Sequence, residues 1–268
     1  LPISLASLRQ AIKANGVAVD QNLAAFQWGR AAVGTPDAVP PVRSQRHVNR
    51  RNVELPSDLR NRIRDIGGSA ALTELLTVRV PELIDYQDAR YAGRYLDLVA
   101  AAATAERAVS DDDELTRAVA RHYYTLLAYK DEYEVARLHL LPEAKESVEA
   151  QFGEGAKVYW NLHPPILRAL GLKRKIKLGP WFRPVFVALA NMKRLRGTKA
   201  DVFGYARVRR VERALVNQYE AVMRAALRKV DAETLPSAIQ LASLPDLVRG
   251  YEEVKLRNVA QYQAQLHE

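Results

Sequence analysis

The sequence predicts a mainly α fold, a multi-helix domain that carries one small β-hairpin, and three observations predict it. Apolar residues recur at spacings of three and four over most of the chain, as one face of a packed helix requires. Glycine and proline interrupt these stretches, as they do at helix ends. Residues 157–165, KVYWNLHPP, instead have an aromatic and β-branched content that favours a strand. With 268 residues, of which 48% are hydrophobic, the chain can bury a substantial core.

The first 34 residues predict a helix-bearing end of a larger domain. Val19, Leu23 and Phe26 lie four and three residues apart on one apolar face, after a turn at Asn15-Gly16. Residues 35–56 hold four prolines and no sustained periodicity, which is typical of an extended, basic linker. We therefore divide the chain into residues 1–34, a linker at 35–56 and a helical domain at 57–268.

The helical domain opens with a short helix, for which Ser57 is the expected N-cap and Gly67-Gly68 the stop. Its apolar face comprises Leu59, Ile63 and Ile66. A second helical stretch should run from Ser69 to Val80. Pro81 suits the first turn of the next helix, which we expect to reach Arg107 and to bury a partly tyrosine face. That face consists of Tyr91, Tyr95, Leu98 and Ala102.

Ser110 and the acids Asp111 to Asp113 predict a helix start, because carboxylates complement the positive end of the helix dipole. We expect this helix to continue to Leu138. Breaks should follow at Pro142, Gly153 and Gly155. The stretch KVYWNLHPP, residues 157–165, favours a strand, and residues 173–178 could be its antiparallel partner.

Four helical stretches complete the predicted domain. Pro180 or Pro184 should open the first, which carries Phe186, Leu189 and Met192 and ends before Gly197. The second has the clearest period, with apolar residues at spacings of three and four: Val208, Val211, Leu215, Tyr219, Val222 and Ala226. Residues 235–244 and 247–266 should form the last two.

Composition excludes several classes of protein. Cysteine is absent, which removes disulfides, thiolate nucleophiles and thiolate-held iron–sulfur clusters from this chain. No apolar stretch approaches the roughly 20 residues that cross a bilayer, and no signal peptide is evident. We therefore expect a soluble, cytoplasmic protein. Because the chain begins with Leu1-Pro2, we interpret it as a processed product or an internal fragment.

The positive charge is concentrated in one segment. Residues 168–213 contain 14 Lys and Arg against the two acids Asp201 and Glu212, whereas the whole chain has a formal charge of +9. Such a segment can hold phosphates or an acidic partner, and an internal interface with acidic neighbouring domains explains it equally well. The candidate contacts are Lys173, Arg174, Lys177, Trp181, Arg183, Lys193, Arg196 and Lys199.

The sequence gives little indication of a metal site or of catalytic residues. Five scattered histidines, His47, His122, His139, His163 and His267, show no metal-ligand spacing, so no metal site is predicted and His122 is interpreted as a packed residue. The acidic string from Lys130 to Glu134 could supply paired carboxylates. The favoured interpretation is a helix face held by salt bridges, with Lys130 and Glu134 as an i, i+4 pair. No catalytic residue is assigned.

Several stretches resemble the indolepyruvate:ferredoxin oxidoreductases, which belong to the 2-oxoacid:ferredoxin oxidoreductase family. NGVAVDQNLAAFQWGRAAV, residues 15–33, resembles the end of their gamma domain. Six later stretches resemble the helical C-terminal domain of the long, fused bacterial members: LIDYQDARYAGRYLDLV, AYKDEYEVARL, NLHPPIL, GPWFRPVF, LRGTKADVFGYARVRRVERALVNQYE and ASLPDLVRGYEEVK. The strings AYKDEYEVARL and LRGTKADVFGY are the specific ones.

The resemblance implies oxidative decarboxylation of an aryl 2-oxoacid to an acyl-CoA, with electrons passed to ferredoxin. The whole enzyme would use thiamine diphosphate, Mg, [4Fe-4S] clusters and coenzyme A, none of them expected in this segment. Implied partners are the enzyme's catalytic and iron–sulfur domains, an acidic ferredoxin-like carrier and further copies of the chain. The segment itself would scaffold this assembly and assist CoA or acidic-partner binding. The alternative is a basic helical nucleic-acid-binding module, although the charge is not laid along one recognition helix.

Overall fold

The computed structural model describes residues 3–16, 18–35, 55–153, 155, 157–162, 176–250 and 252–266. Within these residues the chain forms twelve α-helices and one two-stranded sheet, which confirms the mainly α fold. Its contacts divide it into two units, Leu1–Asn49 and Arg50–Glu268. The expected linker at 35–56 lies almost entirely outside the described residues.

The first unit contains helices α1 (Leu5–Ala14) and α2 (Val19–Gly34). The Ser4 hydroxyl accepts a hydrogen bond from the Ser7 amide and caps α1. Gly16 follows with a φ of 69°, a conformation that glycine adopts without steric cost. The predicted helix starting at Val19 is confirmed.

The second unit contains ten helices and both strands within the described residues. It begins with α3 (Ser57–Ile66), α4 (Ala70–Tyr86), α5 (Ala89–Arg107), α6 (Glu114–Leu127), α7 (Glu132–His139) and α8 (Pro142–Phe152). It continues with β1 (Trp160–Leu162), β2 (Ile176–Leu178), α9 (Arg183–Asn191), α10 (Arg207–Leu227), α11 (Leu235–Ser243) and α12 (Glu252–Gln265). Short 3-10 turns lie at Pro180–Phe182, Met192–Leu195 and Leu244–Leu247.

Helices α5 and α6 pack on each other, and α4, α10 and α11 all contact α6, so this pair forms the centre of the core. The predicted tyrosine face of α5 is confirmed. Tyr95 stacks on Tyr123 of α6, which stacks on Tyr219 of α10, at centroid distances of 6.1 and 5.7 Å. The Tyr95 hydroxyl donates to the Ala120 carbonyl and the Tyr219 hydroxyl to the Ala242 carbonyl, both at 3.0 Å. The hydroxyls of Tyr95 and Tyr219 are therefore both hydrogen-bonded inside the core.

The predicted helix boundary at Pro81 is wrong, because Pro81 lies inside α4. An interior proline costs a helix roughly 3 kcal/mol, since it removes one hydrogen bond and crowds the preceding turn. Full burial of a large apolar side chain contributes roughly 1.5–3 kcal/mol. Four such side chains flank the proline, so packing outweighs the break: Leu76, Val80, Leu83 and Tyr86.

The starts of α3 and α6 are not capped by the side chains that the sequence predicted. Ser57 is the first residue of α3, after Pro56, and its side chain caps nothing there. At α6 the acids Asp111 to Asp113 do not cap the helix either. Instead Glu106, 1% exposed, reaches forward from α5 and accepts from the amides of Leu115 and Thr116 and from the Thr116 hydroxyl, at 2.6–2.8 Å.

The single long helix expected from residue 110 to Leu138 is also wrong. It is broken into α6 and α7 by residues 128–131, where Asp131 caps α7 by accepting from the Glu134 amide at 2.8 Å. Pro142 opens α8 rather than ending a helical region, as its fixed φ and missing N–H allow in a first turn.

The β-hairpin strands and the later helices are confirmed. Strands β1 and β2 pair antiparallel, with Trp160 opposite Leu178. Residues 163–175, between them, lie outside the described residues. Helices α9, α10, α11 and α12 fall within the four predicted stretches. The buried face of α10 includes four residues that the predicted period omitted: Glu212, Val216, Met223 and Leu227.

Candidate functional site

A buried charge centre joins three separate parts of the second unit: the end of α4, the turn before α7 and the loop before α10. We define it by Tyr86, Asp131, Tyr133, Arg196 and Asp201. The Arg196 guanidinium donates two hydrogen bonds to the Asp131 carboxylate, at 2.5 and 2.9 Å, and a third to the Tyr86 carbonyl at 2.6 Å. It also lies 3.7 Å from the centre of the Tyr86 ring. The two charged side chains are 3% and 4% exposed.

The surroundings of Arg196 keep its guanidinium protonated. Burial alone would lower the pKa of Arg196, but the hydrogen bond with Asp131 and the neighbouring tyrosines raise it above its ordinary value. Burial also raises the pKa of Tyr86 well above its ordinary value, so its hydroxyl stays protonated and donates to the Tyr129 carbonyl at 3.1 Å. The centre is therefore a structural bridge, in which Arg196 joins the end of α4 to the turn before α7.

Asp201 completes the buried charge centre. Its carboxylate accepts from the Tyr133 hydroxyl at 3.1 Å and from the amides of Gly197 and Gly204 at 2.8 and 2.9 Å. Burial and the Asp201 charge both raise the pKa of Tyr133. The loop between Gly197 and Gly204 thus folds around one carboxylate.

Replacing Gly204 by Ala should test this loop. A Cβ there would overlap the Asp201 carboxylate and lie 2.9 Å from a terminal nitrogen of Arg213, so we expect a loss of about 1–3 kcal/mol in the free energy of unfolding. Urea unfolding measures it. Gly29→Ala, in helix α2, is the control, because its added Cβ meets no described atom within 4 Å. Equal stability of the two variants would contradict the role given to Gly204.

The acidic string from Lys130 to Glu134 forms salt bridges, as the favoured interpretation stated, and the helical spacing of Glu134 and Arg137 on which that interpretation also rested is confirmed as a pair. Glu134 binds Arg137 through two hydrogen bonds of 2.7 and 2.8 Å. Glu132 pairs with Arg209 at 3.3 Å. The predicted i, i+4 pair of Lys130 and Glu134 is wrong, because Lys130 precedes α7 and Asp131 is the cap.

The six candidate contacts that lie in the described part of the chain do not gather at one place. Arg196 is bound to Asp131 in the buried charge centre. Lys193 donates to the carbonyls of Ile84 and Asp85. The structure therefore corrects the prediction for Arg196 and Lys193, because both cations make contacts that stabilise the fold. Lys199 is exposed on the loop, and Lys173 and Arg174 lie outside the described residues. The remaining three lie around the sheet and α9: Lys177, Trp181 and Arg183.

Those three belong to an exposed surface that we call the hairpin surface: Tyr159, Lys177, Trp181, Arg183 and Val185. Trp181 is 69% exposed, and the Lys177 ammonium lies 4.4 Å from the centre of the Tyr159 ring. A Cβ built on Gly179 would lie 3.2 Å from Trp181 and 3.4 Å from Tyr159, so both rings flank that glycine. The surface combines exposed rings with positive charge.

An aromatic cluster centred on the buried Phe186 packs beside the hairpin surface. Phe186 of α9 is 1% exposed and lies 5.0 Å from Trp160, 5.2 Å from Phe182 and 5.5 Å from His139, measured between ring centres. Burial lowers the pKa of His139, as it does for His122. The packed interpretation of His122 agrees with its 9% exposure.

The sequence did not reveal a groove of about 980 Å³ between α3, the first turns of α5, residues 194–198 and α10. We call it the arginine groove. Six arginines and three aspartates line it, among them Arg90 and Arg94, one turn apart on α5. That spacing is the one signal in the sequence that could have indicated it. No cluster of metal ligands was found among the described residues.

Comparison with known proteins gives one result. A family model described as "Family of unknown function (DUF6537)" matches residues 72–268. The matched region runs from α4 to the end of the chain and includes the buried charge centre, the hairpin surface and most of the arginine groove. No curated protein and no solved structure matches the chain. No described helix has the length and apolar content of a membrane span.

Proposed function

We propose that this chain, which belongs to the DUF6537 family, is the helical accessory part of an indolepyruvate-type 2-oxoacid:ferredoxin oxidoreductase. In this proposal it scaffolds the assembly and docks the enzyme's catalytic or electron-transfer parts. Decarboxylation and electron transfer take place on those partners. The chain contains no cysteine, so it cannot itself supply the thiolates of an iron–sulfur cluster.

One observation carries the proposal. The two specific strings of the resemblance, residues 128–138 and 195–205, contact each other in the buried charge centre. Asp131 and Tyr133 come from the first string, and Arg196 and Asp201 from the second. These residues are buried and bound to one another, so their role within this chain is that of a structural joint. Side chains that face inward support a scaffold role rather than a catalytic one.

The hairpin surface is the proposed docking site. Exposed aromatic rings beside positive charge are typical of protein contacts, where the rings supply buried area and the charges orient the partner. Lys177 and Arg183 would attract an acidic partner such as a ferredoxin-like carrier or an acidic face of the catalytic domains. Trp181 would be the central buried contact, as tryptophan often is at interfaces.

The experiment uses the protein purified from its source with every polypeptide that accompanies it. We expect reduction of a viologen dye that depends on an aryl 2-oxoacid and coenzyme A. The triple variant Lys177→Ala, Trp181→Ala, Arg183→Ala should lower this activity by about tenfold or more, because it removes the docking contacts. Circular dichroism should be unchanged, since all three side chains are exposed.

The matched control removes two exposed cations elsewhere, Arg228→Ala and Lys229→Ala at the end of α10, and should keep full activity. Absence of 2-oxoacid oxidation in the purified assembly, with thiamine diphosphate and Mg supplied, would reject the proposal. Retention on DNA at physiological ionic strength would favour the nucleic-acid-binding alternative instead.

A further inference from the structure

The loop that leads into α10 is held in place from its inner side. Asp201, 3% exposed, accepts from the amides of Gly197 and Gly204 at 2.8 and 2.9 Å. Phe203 packs on Tyr133, with the ring centres 5.3 Å apart. The conformation of the loop is therefore set by its contacts with the buried charge centre.

The outer side of this loop exposes two large apolar side chains. Val202 is 53% exposed and Tyr205 is 64% exposed. The Tyr205 hydroxyl donates to the Lys199 carbonyl at 2.9 Å, which holds the ring across the loop and leaves most of its surface open to solvent. A ring that is fixed before binding loses little conformational freedom when a partner covers it.

Three exposed cations lie in the same loop and in the first turn of α10: Lys199, Arg207 and Arg210. None of them has an ion-pair or side-chain hydrogen-bond partner among the described residues. Arg207 follows Tyr205 by two residues, which span at most about 7 Å of backbone. Arg210 lies one turn further along the same face of α10.

The acids of this region do not neutralise those three cations, because each acid is bound elsewhere. Asp201 is bound inside the loop. Glu212 is 5% exposed and binds Arg209 and Lys255. Glu132, which reaches α10 from α7, is paired with Arg209 as well.

The position of two of the cations is unfavourable for the helix itself. Helix starts favour acids, because the backbone dipole is positive there, and α10 has no acid in its first turn. Arg207 and Arg210 therefore lower the stability of α10, and no contact within the described chain offsets this. An acidic partner would offset it.

We propose that this outer surface docks an acidic surface of another protein. Val202 and Tyr205 supply the apolar centre of the contact, and Lys199, Arg207 and Arg210 bind carboxylates at its rim. The exposed Val202 favours a protein over a nucleic acid, whose phosphate backbone dominates its contacts and offers no apolar surface. The surface shares no residue with the hairpin surface, and the inference does not depend on the proposed oxidoreductase assembly.

Site-specific photocrosslinking in the source cells tests the proposal, with benzoylphenylalanine in place of Val202 in the full chain. Mass spectrometry should identify crosslinks to a segment of another polypeptide in which Asp and Glu outnumber Lys and Arg. Adding Arg207→Ala, Arg210→Ala should lower the crosslink yield by about fivefold or more, because the partner is no longer attracted and oriented. This variant should unfold at an equal or higher urea concentration, since it removes cations from the positive end of a helix.

The control is Arg228→Ala, Lys229→Ala, which removes the same charge at the other end of α10 and should leave the crosslink yield unchanged. Cations are favourable at that end, so its urea midpoint should be equal or lower. The proposal fails if no crosslink forms, if crosslinks reach only segments without an acidic excess or only another copy of this chain, or if the products are nuclease-sensitive. Equal loss of yield in both double variants would also overturn it, as would a lower urea midpoint for Arg207→Ala, Arg210→Ala, which would show that these arginines serve the fold.

Discussion

Replacing Asp131 by Asn is expected to lower the free energy of unfolding by about 3–5 kcal/mol, the usual cost of leaving one charge of a buried pair without its partner. Asparagine has almost the same shape and can still cap α7, so the change isolates the charge. Arg196 would remain buried and positive beside a neutral amide. Urea unfolding followed by circular dichroism measures the loss.

An exposed ion pair of the same kind gives the control. Arg249 and Asp246 pair with side chains that are 73% and 57% exposed, so Asp246→Asn should change stability by less than about 1 kcal/mol. A double-mutant cycle with Arg196→Met adds a second test. The double variant should lose less than the sum of the two single losses, because no uncompensated charge then remains. Simple additivity would show that the two side chains do not stabilise each other.

Replacing Glu106 by Ala should cost about 3 kcal/mol or more, because it leaves three buried donors at the start of α6 without an acceptor and opens a cavity. The donors are the amides of Leu115 and Thr116 and the Thr116 hydroxyl. Glu106→Gln retains part of the side chain's acceptor capacity and should cost less. Thermal and urea unfolding of the unchanged chain and of the two variants measure the order of their stabilities.

Asp111→Ala is the matched control, since Asp111 is an exposed acid just before the same helix. We expect a change of less than about 0.5 kcal/mol, typical of surface substitutions. If Asp111→Ala cost as much as Glu106→Ala, the adjacent acids would cap α6 after all, as the sequence suggested.

The sequence predicted helices wherever one apolar face was enough to define them, as in α5 and α10. It failed where the deciding contact came from a distant part of the chain. Pro81 looked like a helix start because the burial that offsets its cost depends on neighbours from other helices. The acids before α6 looked like its cap because nothing local indicates that Glu106 reaches forward from α5.

The same limit applies to the candidate site. Arg196 appeared to be one cation of a basic run, and only the folded chain places it on Asp131, 65 residues earlier. The distribution of charge along a sequence does not reveal which cations form ion pairs inside the fold. The arginine groove could not be predicted for the converse reason. Arg62, Arg90 and Arg94 lie outside the basic segment at residues 168–213 and come close to its arginines only in the folded chain.

The tyrosine core has a consequence for how this domain can move. Interdigitated aliphatic side chains hold two helices together by shape alone, because dispersion forces have no preferred direction. A phenol that donates to one particular carbonyl adds a directional contact. Tyr91 donates to the Leu127 carbonyl and Tyr219 to the Ala242 carbonyl, at 3.1 and 3.0 Å, so these bonds fix the register of α5 on α6 and of α10 on α11. The bundle should respond to mechanical load or to a neighbour as a rigid body.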